Sequence, residues 1–316
     1  MKKLSLLVAS ALVAGSFSSA AMAEKRMLLK TPIYYNSVLP SLGSSIRYVA
    51  DNMETLSGKS MKMKIYEPNK LVNPKEILDA VSTGKVQAGY ATAGNWGGKI
   101  PAARLFSAVP FGPEAPEYLA WFYHGNGNKL HQELYDENNL NVKVQVCGVL
   151  APETSGWFKE EINKPEDLKG LKMRFFGLGA LVMEKVGVST QLLAGGDIYP
   201  ALERGTIDAT EFSMPAIDLK LGFYQVAKNY YWPGVGEPSS AEECAVNAKA
   251  FNELEDDLKQ AVSFACESLY NPVWTEYTTK HALALPKLVK EQGVQVKMLP
   301  EDVLIAMGNA AGEVIA

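Results

Sequence analysis

The chain has 316 residues, of which 31 are lysine or arginine and 35 are aspartate or glutamate, and 47% are hydrophobic. The negative net charge argues against nucleic acid or an anionic membrane surface as the binding partner. The three cysteines show no C-x-x-C or Cys/His ligand spacing, so a zinc site is not indicated.

The first 23 residues have the pattern of a cleaved secretory signal. Lys2 and Lys3 precede an uncharged apolar stretch, and Ala21-Met22-Ala23 is typical of a signal-peptidase site. The mature protein is therefore expected in the periplasm, with 29 basic residues against 35 acidic ones and a net charge of −6. About 290 residues are enough to form two domains.

The next segments alternate between strand and helix patterns. Apolar residues recur at alternating steps of four and three over 42–56, which predicts an amphipathic helix, and residues 61–66 alternate with period two, as in a half-buried strand. Asn73-Pro74-Lys75-Glu76 then reads as the start of a helix that Gly84 ends. This order indicates an α/β fold.

An internal repeat links two distant parts of the chain. Residues 77–88 and 198–209 share the pattern I-x-x-A-h-x-x-G-x-h-x-A, where h is aliphatic, and each copy predicts a helix, a glycine cap and a short buried strand. Two copies imply two similar lobes, although so short a pattern also arises by chance in α/β proteins. Residues 90–92 and 211–213 follow these strands and would face the ligand crevice.

The predicted lobes are connected at two places. Residues 142–150 form a strand pattern long enough to leave one lobe, which puts Ala151-Pro152-Glu153 at the hinge, and residues 231–247 resemble the return crossing. We assign 24–149 plus about 247–316 to lobe I and 150–246 to lobe II.

Cysteine pairing and histidine placement are less constrained. In an oxidising compartment Cys244 and Cys266 could pair and leave Cys147 as a lone thiol, but sequence separation leaves this open. The three histidines stand apart from one another, and we expect surface positions rather than catalytic or ligand roles for all of them: His124, His131 and His281.

Three charged residues are candidates for ligand binding. Arg174 ends a strand pattern on the face opposite Met173, where its planar fork could hold a carboxylate, although pairing with a structural carboxylate is equally consistent. Glu153 and Glu211 follow predicted strands in weakly polar surroundings, where an ionised carboxylate needs a cation. Two carboxylates plus backbone carbonyls would suit Ca²⁺, whereas spacing alone also allows separate surface glutamates.

Other sequence features add little chemistry. No nucleophile elbow, P-loop, dinucleotide fingerprint or zinc motif occurs. Several aromatic residues could line the expected cleft, although core packing explains them equally well. They are Tyr34, Tyr35, Trp96, Phe111, Trp157, Phe212 and Trp232.

Four longer segments resemble one protein family over nearly the whole mature chain. They are Gly156-Trp157-Phe158, residues 168–174 (LKGLKMR), residues 201–211 (ALERGTIDATE) and residues 220–224 (KLGFY). These segments are similar to the DctP-type solute-binding subunits of TRAP (tripartite ATP-independent periplasmic) transporters. The KLGFY segment and residues 230–234 (YYWPG) are most similar to the branch that binds 2-oxo or 2-hydroxy monocarboxylates, such as pyruvate or lactate, with a metal ion.

The resemblance implies a fold and a set of site residues. The fold is the α/β two-lobed periplasmic binding protein fold, in which each lobe is a mixed sheet flanked by helices and crossing strands and a long helix join the lobes. Arg174 would clamp the substrate carboxylate, and Glu153, Glu211 and the carbonyl of Phe212 would hold the metal ion. The expected substrate contacts are Arg174, Glu153, Phe212, Trp96, Tyr35 and Phe111.

The resemblance also implies partners. Integral-membrane TRAP subunits would receive the solute, and some relatives exchange a long C-terminal helix in a homodimer. Glu153 stands where sodium-using relatives carry glutamine, and the added negative charge favours Ca²⁺ over Na⁺.

Two alternatives remain open. A binding protein for a dicarboxylate or sugar acid would need a second cationic group near the cleft. A metal-dependent periplasmic enzyme would need a general base or nucleophile, and neither is evident in the sequence. We therefore predict a receptor and not an enzyme.

Overall fold

The computed structural model describes residues 26–316, apart from the side chains of residues 270 and 271. The predicted signal peptide, residues 1–23, lies outside the described residues. The strands are β1 (Met27–Pro32), β2 (Met61–Tyr66), β3 (Ala88–Ala91), β4 (Val142–Leu150), β5 (Gly156–Phe158), β6 (Lys172–Arg174), β7 (Ser189–Gln191), β8 (Ala209–Thr210), β9 (Asn229–Trp232), β10 (Ser240–Asn247) and β11 (Gln295–Met298). The α-helices are α1 (Ser45–Leu56), α2 (Ile77–Ser82), α3 (Ala115–His124), α4 (Gly127–Glu137), α5 (Gly177–Lys185), α6 (Gly195–Glu203), α7 (Pro215–Leu221), α8 (Ala248–Asn252), α9 (Asp256–Glu267), α10 (Tyr270–Gln292) and α11 (Glu301–Ile315). Between residues 26 and 316, no helix combines the length and the apolar character that crossing a membrane requires.

The first lobe is built on two small sheets that a single bridge joins. β1 and β2 pair in parallel, and β10 lies between β3 and β4 in an antiparallel sheet. An isolated parallel bridge between Ile33 and Tyr90 connects the two pieces. Alternation in β2 buries Met61 and Met63, while Lys62 and Lys64 face solvent, as period two predicts.

The second lobe contains one mixed sheet of six strands in the order β11-β9-β5-β8-β6-β7. The pairs β6–β7, β6–β8 and β9–β11 are parallel, whereas β5 is antiparallel to both of its neighbours. Helices α5 and α11 pack on this sheet and close a hydrophobic core of their own that includes Met173, Val182 and Met307. The two-lobed α/β prediction is confirmed.

The predicted internal repeat folds the same way in both lobes. α2 leads through Gly84 to β3, and α6 leads through Gly205 to β8. Both glycines are left-handed, with φ of 75° and 74°, a conformation that favours glycine because it has no Cβ. Since β3 and β8 belong to different sheets, the two copies mark the two lobes.

Three segments connect the lobes. Residues 151–155 run from β4 to β5, and residues 233–239 return from β9 to β10. The third connection is α10, whose Glu276 accepts a hydrogen bond from Ser44 Oγ of the first lobe at 2.6 Å. Further along the same helix, His281 Nδ1 accepts a hydrogen bond from the Ala216 N–H of the second lobe at 3.0 Å. The predicted long helix is present, whereas the two crossings are irregular segments between strands and not strands themselves.

The lobe boundaries differ from the predicted ones at two points. β10 begins at Ser240 and pairs with β3 and β4, so the return to the first sheet occurs before residue 246. β11 pairs with β9, and α11 packs against α5, which attaches the end of the chain to the second lobe. An edge strand can join either sheet, and only its pairing partner decides which.

The cysteine and histidine expectations need correction. Cys147 of β4 is bonded to Cys266 of α9, and Cys244 is a buried free thiol. Because Cys266 is already bonded to Cys147, Cys244 is left without a disulfide partner. His131 and His281 are only 1% and 6% exposed, so the surface prediction is wrong for both and agrees with the structure only for His124.

Candidate functional site

The two crossing segments lie side by side and bring two glutamates together. The Glu153 N–H donates a hydrogen bond to the Glu237 carbonyl oxygen at 3.1 Å. A Cβ at Gly234 would overlap the Glu153 carbonyl, so the approach of the two chains requires glycine there. Glu237 therefore lies next to Glu153, although the residues are 84 positions apart.

The turn after β8 brings a third glutamate to the same place. Glu211 follows β8 directly, and the Ser213 carbonyl oxygen accepts a hydrogen bond from the Thr154 N–H at 3.1 Å. Ser213 Oγ also donates to Glu153 Oε1 at 2.9 Å. One carboxylate oxygen from each of Glu153, Glu211 and Glu237 lies within 4.8 Å of the others, and all three side chains are buried.

Arg174 is the cation of this cluster. It ends β6, the strand beside β8, and its Nη1 donates to Glu211 Oε2 at 2.9 Å and to the Glu211 carbonyl oxygen at 2.5 Å. Its Nε donates to the Leu193 carbonyl oxygen at 3.4 Å, and its Cζ lies 4.9 Å from the centre of the Phe212 ring. Within residues 26–316, no hydrogen bond is found for the Nη2 atom of Arg174. Arg174 thus pairs with a protein carboxylate through Nη1, and Nη2 is not used in that pairing.

The cluster carries more negative charge than its arginine can neutralise. Burial raises the pKa of Glu153 well above its ordinary value, and the charges of Glu237 and Glu211 raise it further. Burial, helped by the Glu211 charge, does the same to the pKa of Glu237. Burial also raises the pKa of Glu211, against the opposing effect of Arg174. Ionised together, three carboxylates and one guanidinium leave two negative charges in a buried site, which favours uptake of protons or of a cation.

The donor set fits a hard cation. Each of the three carboxyl groups has one buried oxygen without a hydrogen-bond partner in the described part of the chain: Glu153 Oε2, Glu211 Oε1 and Glu237 Oε1. Oxygen ligands of this kind suit Ca²⁺, which takes several carboxylate and carbonyl oxygens in a flexible arrangement. These three residues could hold the ion, and it would supply the positive charge that the cluster lacks.

A cavity of about 400 Å³ lies between the lobes, and Phe212, the residue after Glu211, is part of its lining. Tyr34, Tyr35 and Asn36 line it from the first lobe, and Asp197 and Phe212 line it from the second. Its volume suits a small organic molecule.

The structure separates the predicted aromatic contacts. Phe212 and Tyr35 line the cavity, although the Tyr35 hydroxyl is already bonded to Thr92 Oγ1 at 2.6 Å. Trp96 Nε1 donates to the buried Glu243 at 2.6 Å, within the first lobe. Phe111 is 44% exposed, with its ring beside Gly308 of α11. Phe111 therefore lies outside the buried cluster.

Trp157 and Tyr230 share a buried hydrogen-bond acceptor, Asp218, in the second lobe. Trp157 and Tyr230 stack with ring centres 3.9 Å apart, and both donate to Asp218 Oδ2, at 2.9 Å and 2.7 Å. Trp157 is fully buried in the larger hydrophobic core, and it is not among the residues that line the cavity.

Sequence reasoning missed Glu237. The sequence predicts the return crossing, but its pattern does not mark Glu237 as the counterpart of Glu153 on the outward crossing. One signal is Gly236-Glu237-Pro238, which places an acidic residue between a glycine and a proline shortly before β10, the strand that re-enters the first lobe.

Comparison with known proteins shows the family of the chain. Residues 37–316 match the family model for bacterial extracellular solute-binding protein, family 7 (DctP). The chain is 37% identical over 251 residues, 79% of its length, to a Nostoc protein named a monocarboxylate 2-oxoacid-binding periplasmic protein, of which it covers 68%.

Two solved structures are also similar. One is a TRAP solute-binding protein from Bordetella bronchiseptica, described as a mixed-occupancy dimer with copurified calcium and picolinate (TM-score 0.88, 32% identity, covering 91% of this chain and 85% of that one). The other is a TRAP solute-binding protein from Pseudoalteromonas atlantica with sodium and pyruvate (TM-score 0.87, 32% identity, covering 92% and 88%). The chain therefore belongs to family 7 of the bacterial extracellular solute-binding proteins, the solute receptors of TRAP transporters, and is not an enzyme.

Proposed function

We propose that this protein binds a small 2-oxo or 2-hydroxy monocarboxylate, such as pyruvate or lactate, together with Ca²⁺ in preference to Na⁺. One observation carries the proposal: three buried glutamates, each with an oxygen unpartnered in the described part of the chain, lie together, and Arg174 is the cation that pairs with one of them. A divalent ion balances the two remaining negative charges, whereas a monovalent ion leaves one.

The solute would complete this arrangement. A 2-oxo or 2-hydroxy acid carries two oxygens on adjacent carbons, so it could bind the cation through both while its carboxylate accepts a hydrogen bond from Arg174 Nη2. The carbonyl of Phe212 is the predicted additional ligand. The named relative and the two structures above support this chemistry by what they are reported to bind.

The crossing segments explain how binding could be linked to lobe closure. Glu153 and Glu237 lie on two of the three segments that join the lobes, so a cation held between them would restrain the hinge. Hinge closure around a ligand is the common response of two-lobed receptors. The closed protein would then deliver the solute to the membrane subunits of a TRAP transporter.

Calorimetry on stripped protein tests the proposal. Protein treated with a chelator should bind pyruvate only after Ca²⁺ is added back, and propionate, which lacks the 2-oxygen, should bind far more weakly. Equal affinity with and without Ca²⁺, or equal affinity for propionate, would contradict it. Succinate and glucuronate test the alternative solute classes, and recovery of chemically unchanged ligand by mass spectrometry tests for turnover.

Matched arginine variants separate the site from the surface. Arg174→Lys removes the planar fork and should abolish most pyruvate binding, whereas Arg204→Lys, at an exposed helix end, should leave the affinity unchanged.

The periplasmic location and cleavage before Glu24 can be tested by sequencing the N-terminus of the exported protein. The homodimer stays a prediction for light scattering.

A further inference from the structure

Tyr34 occupies a fixed position at the edge of the first lobe that faces the cavity. Its N–H donates to the Tyr90 carbonyl oxygen at 2.9 Å, directly after the bridge between Ile33 and Tyr90. Its ring packs against Tyr35, with centres 5.0 Å apart, and edge-on against Trp96 at 6.3 Å. Backbone pairing and ring packing together hold the side chain in place.

The Tyr34 hydroxyl has no partner although it is buried. Only 6% of the residue is exposed, and within residues 26–316 no group forms a hydrogen bond with its oxygen. The neighbouring Tyr35 hydroxyl differs, because Thr92 Oγ1 and Asn95 Nδ2 both bond to it, at 2.6 Å and 2.9 Å. Buried hydroxyl groups are rarely left unbonded, so an orphan on a cavity wall points to a ligand.

The electrostatic surroundings of Tyr34 indicate what that ligand carries. Burial raises the pKa of Tyr34, the Arg174 charge lowers it and the Asp197 charge raises it, so the hydroxyl is close enough to respond to both. A raised pKa keeps the hydroxyl protonated, and it can then donate a hydrogen bond. Tyr34 and Phe212 line the same cavity, and Arg174 lies over the Phe212 ring.

The origin of the site residues gives this donor a distinct role. Arg174, Glu211 and Phe212 belong to the second lobe, and Glu153 and Glu237 belong to the crossing segments. Within the described residues, Tyr34 is the buried first-lobe group that lines the cavity and has an unused donor.

We propose that the Tyr34 hydroxyl donates a hydrogen bond to the carboxylate of the bound solute from the lobe opposite Arg174. The carboxylate is then held from both lobes. Tyr34 is a specificity residue, because its hydrogen bond stabilises the closed form when the solute is an anion. This inference rests on the proposed function, because it requires a carboxylate in the cavity.

The test compares Tyr34→Phe with Tyr48→Phe, a change at a partly exposed tyrosine on α1. Pyruvate affinity in saturating Ca²⁺ and Ca²⁺ affinity without solute are both measured by calorimetry. We expect about a tenfold higher Kd for pyruvate in Tyr34→Phe, which corresponds to about 1.4 kcal/mol, with an unchanged Kd for Ca²⁺. Tyr48→Phe should match the wild type in both.

Three other outcomes would overturn the inference. If Tyr34→Phe binds pyruvate within twofold of the wild type, the hydroxyl does not contact the solute. If its Ca²⁺ affinity falls in parallel, the substitution has disturbed the cluster and the direct contact is wrong. If the wild type itself binds no monocarboxylate with Ca²⁺ present, the proposed function fails first and removes the basis of the inference. Thermal unfolding of the solute-free variant confirms that it is folded.

Discussion

Replacing Glu237 by glutamine should stabilise the calcium-free protein and weaken its binding of calcium. The substitution keeps the size of the side chain and removes one charge from the cluster. The backbone contacts of this residue, the N–H to the Gly234 carbonyl and the carbonyl from the Glu153 N–H, do not depend on its carboxyl group. The change therefore tests charge alone.

The distances within the cluster set the size of the expected stabilisation. Two carboxylate charges separated by 4.8 Å, the limit found for this cluster, repel by about 3.5 kcal/mol at an effective dielectric constant of 20. Proton uptake sets an upper limit to this repulsion, because a carboxyl of ordinary pKa 4.5 can instead be protonated at pH 7 for about 3.4 kcal/mol. The Glu237→Gln variant should thus gain about 3 kcal/mol without calcium, or on the order of 6 °C in melting temperature.

Differential scanning calorimetry at pH 7, with chelator and with millimolar calcium, measures the effect. The wild type should melt below the variant in chelator and gain far more on addition of calcium. Glu242→Gln is the matched control, because Glu242 is fully buried with a raised pKa but lies outside the cluster, so its shift should not depend on calcium. The reasoning is refuted if Glu237→Gln melts below the wild type in chelator or retains the full calcium shift.

Three further predictions concern stability. Cys266→Ser removes the disulfide to Cys147, which closes a loop of 119 residues, and should lower the free energy of unfolding by about 5 kcal/mol. Denaturant titration would measure this loss, with Cys244→Ser as the control. Burial lowers the pKa of His281 to about 4, so the histidine takes up a proton on unfolding and the free energy of unfolding should rise with pH between about 4 and 6.5. His281→Asn should flatten that rise, and an unchanged slope would contradict the prediction. Burial raises the pKa of Asp218 to about 7, so its proton is held only in the folded state and stability falls as pH rises from about 4 to 7; the wild-type curve minus that of Asp218→Asn should show this fall.

Local patterns predicted the helices and strands that carry the site. The alternation in β2, the asparagine cap at Asn73 and the glycine turns at Gly84 and Gly205 depend on residues a few positions apart, and each is present. Glu153 and Glu211 could be selected for the same reason, because residues shortly after the end of a strand lie at the edge of its sheet. Leu56 is an exception, since it continues the apolar stripe of α1 and yet is 52% exposed at the helix end.

Contacts between distant segments could not be predicted in this way. Cys147 pairs with Cys266 because β4 packs beside α9, and no spacing in the sequence reports that packing. His131 was expected at the surface because its helix neighbours are polar, but it is buried beside Glu243, 3.0 Å from the carboxylate. Burial of a single side chain depends on what the rest of the fold places over it.

The sequence by itself determined the α/β order of elements, the duplicated helix–glycine–strand units and a strand-end arginine with two glutamates, because each follows from local geometry. Only the tertiary structure decided that Glu237 joins Glu153 and Glu211, because the two crossing segments must meet at the hinge before their carboxylates can share one site. It also showed that Arg174 is partly engaged by Glu211 and that the Tyr34 hydroxyl is unpartnered at the cavity wall. Charge balance and hydrogen-bond satisfaction are properties of the assembled site, so they appear only when the lobes are in place.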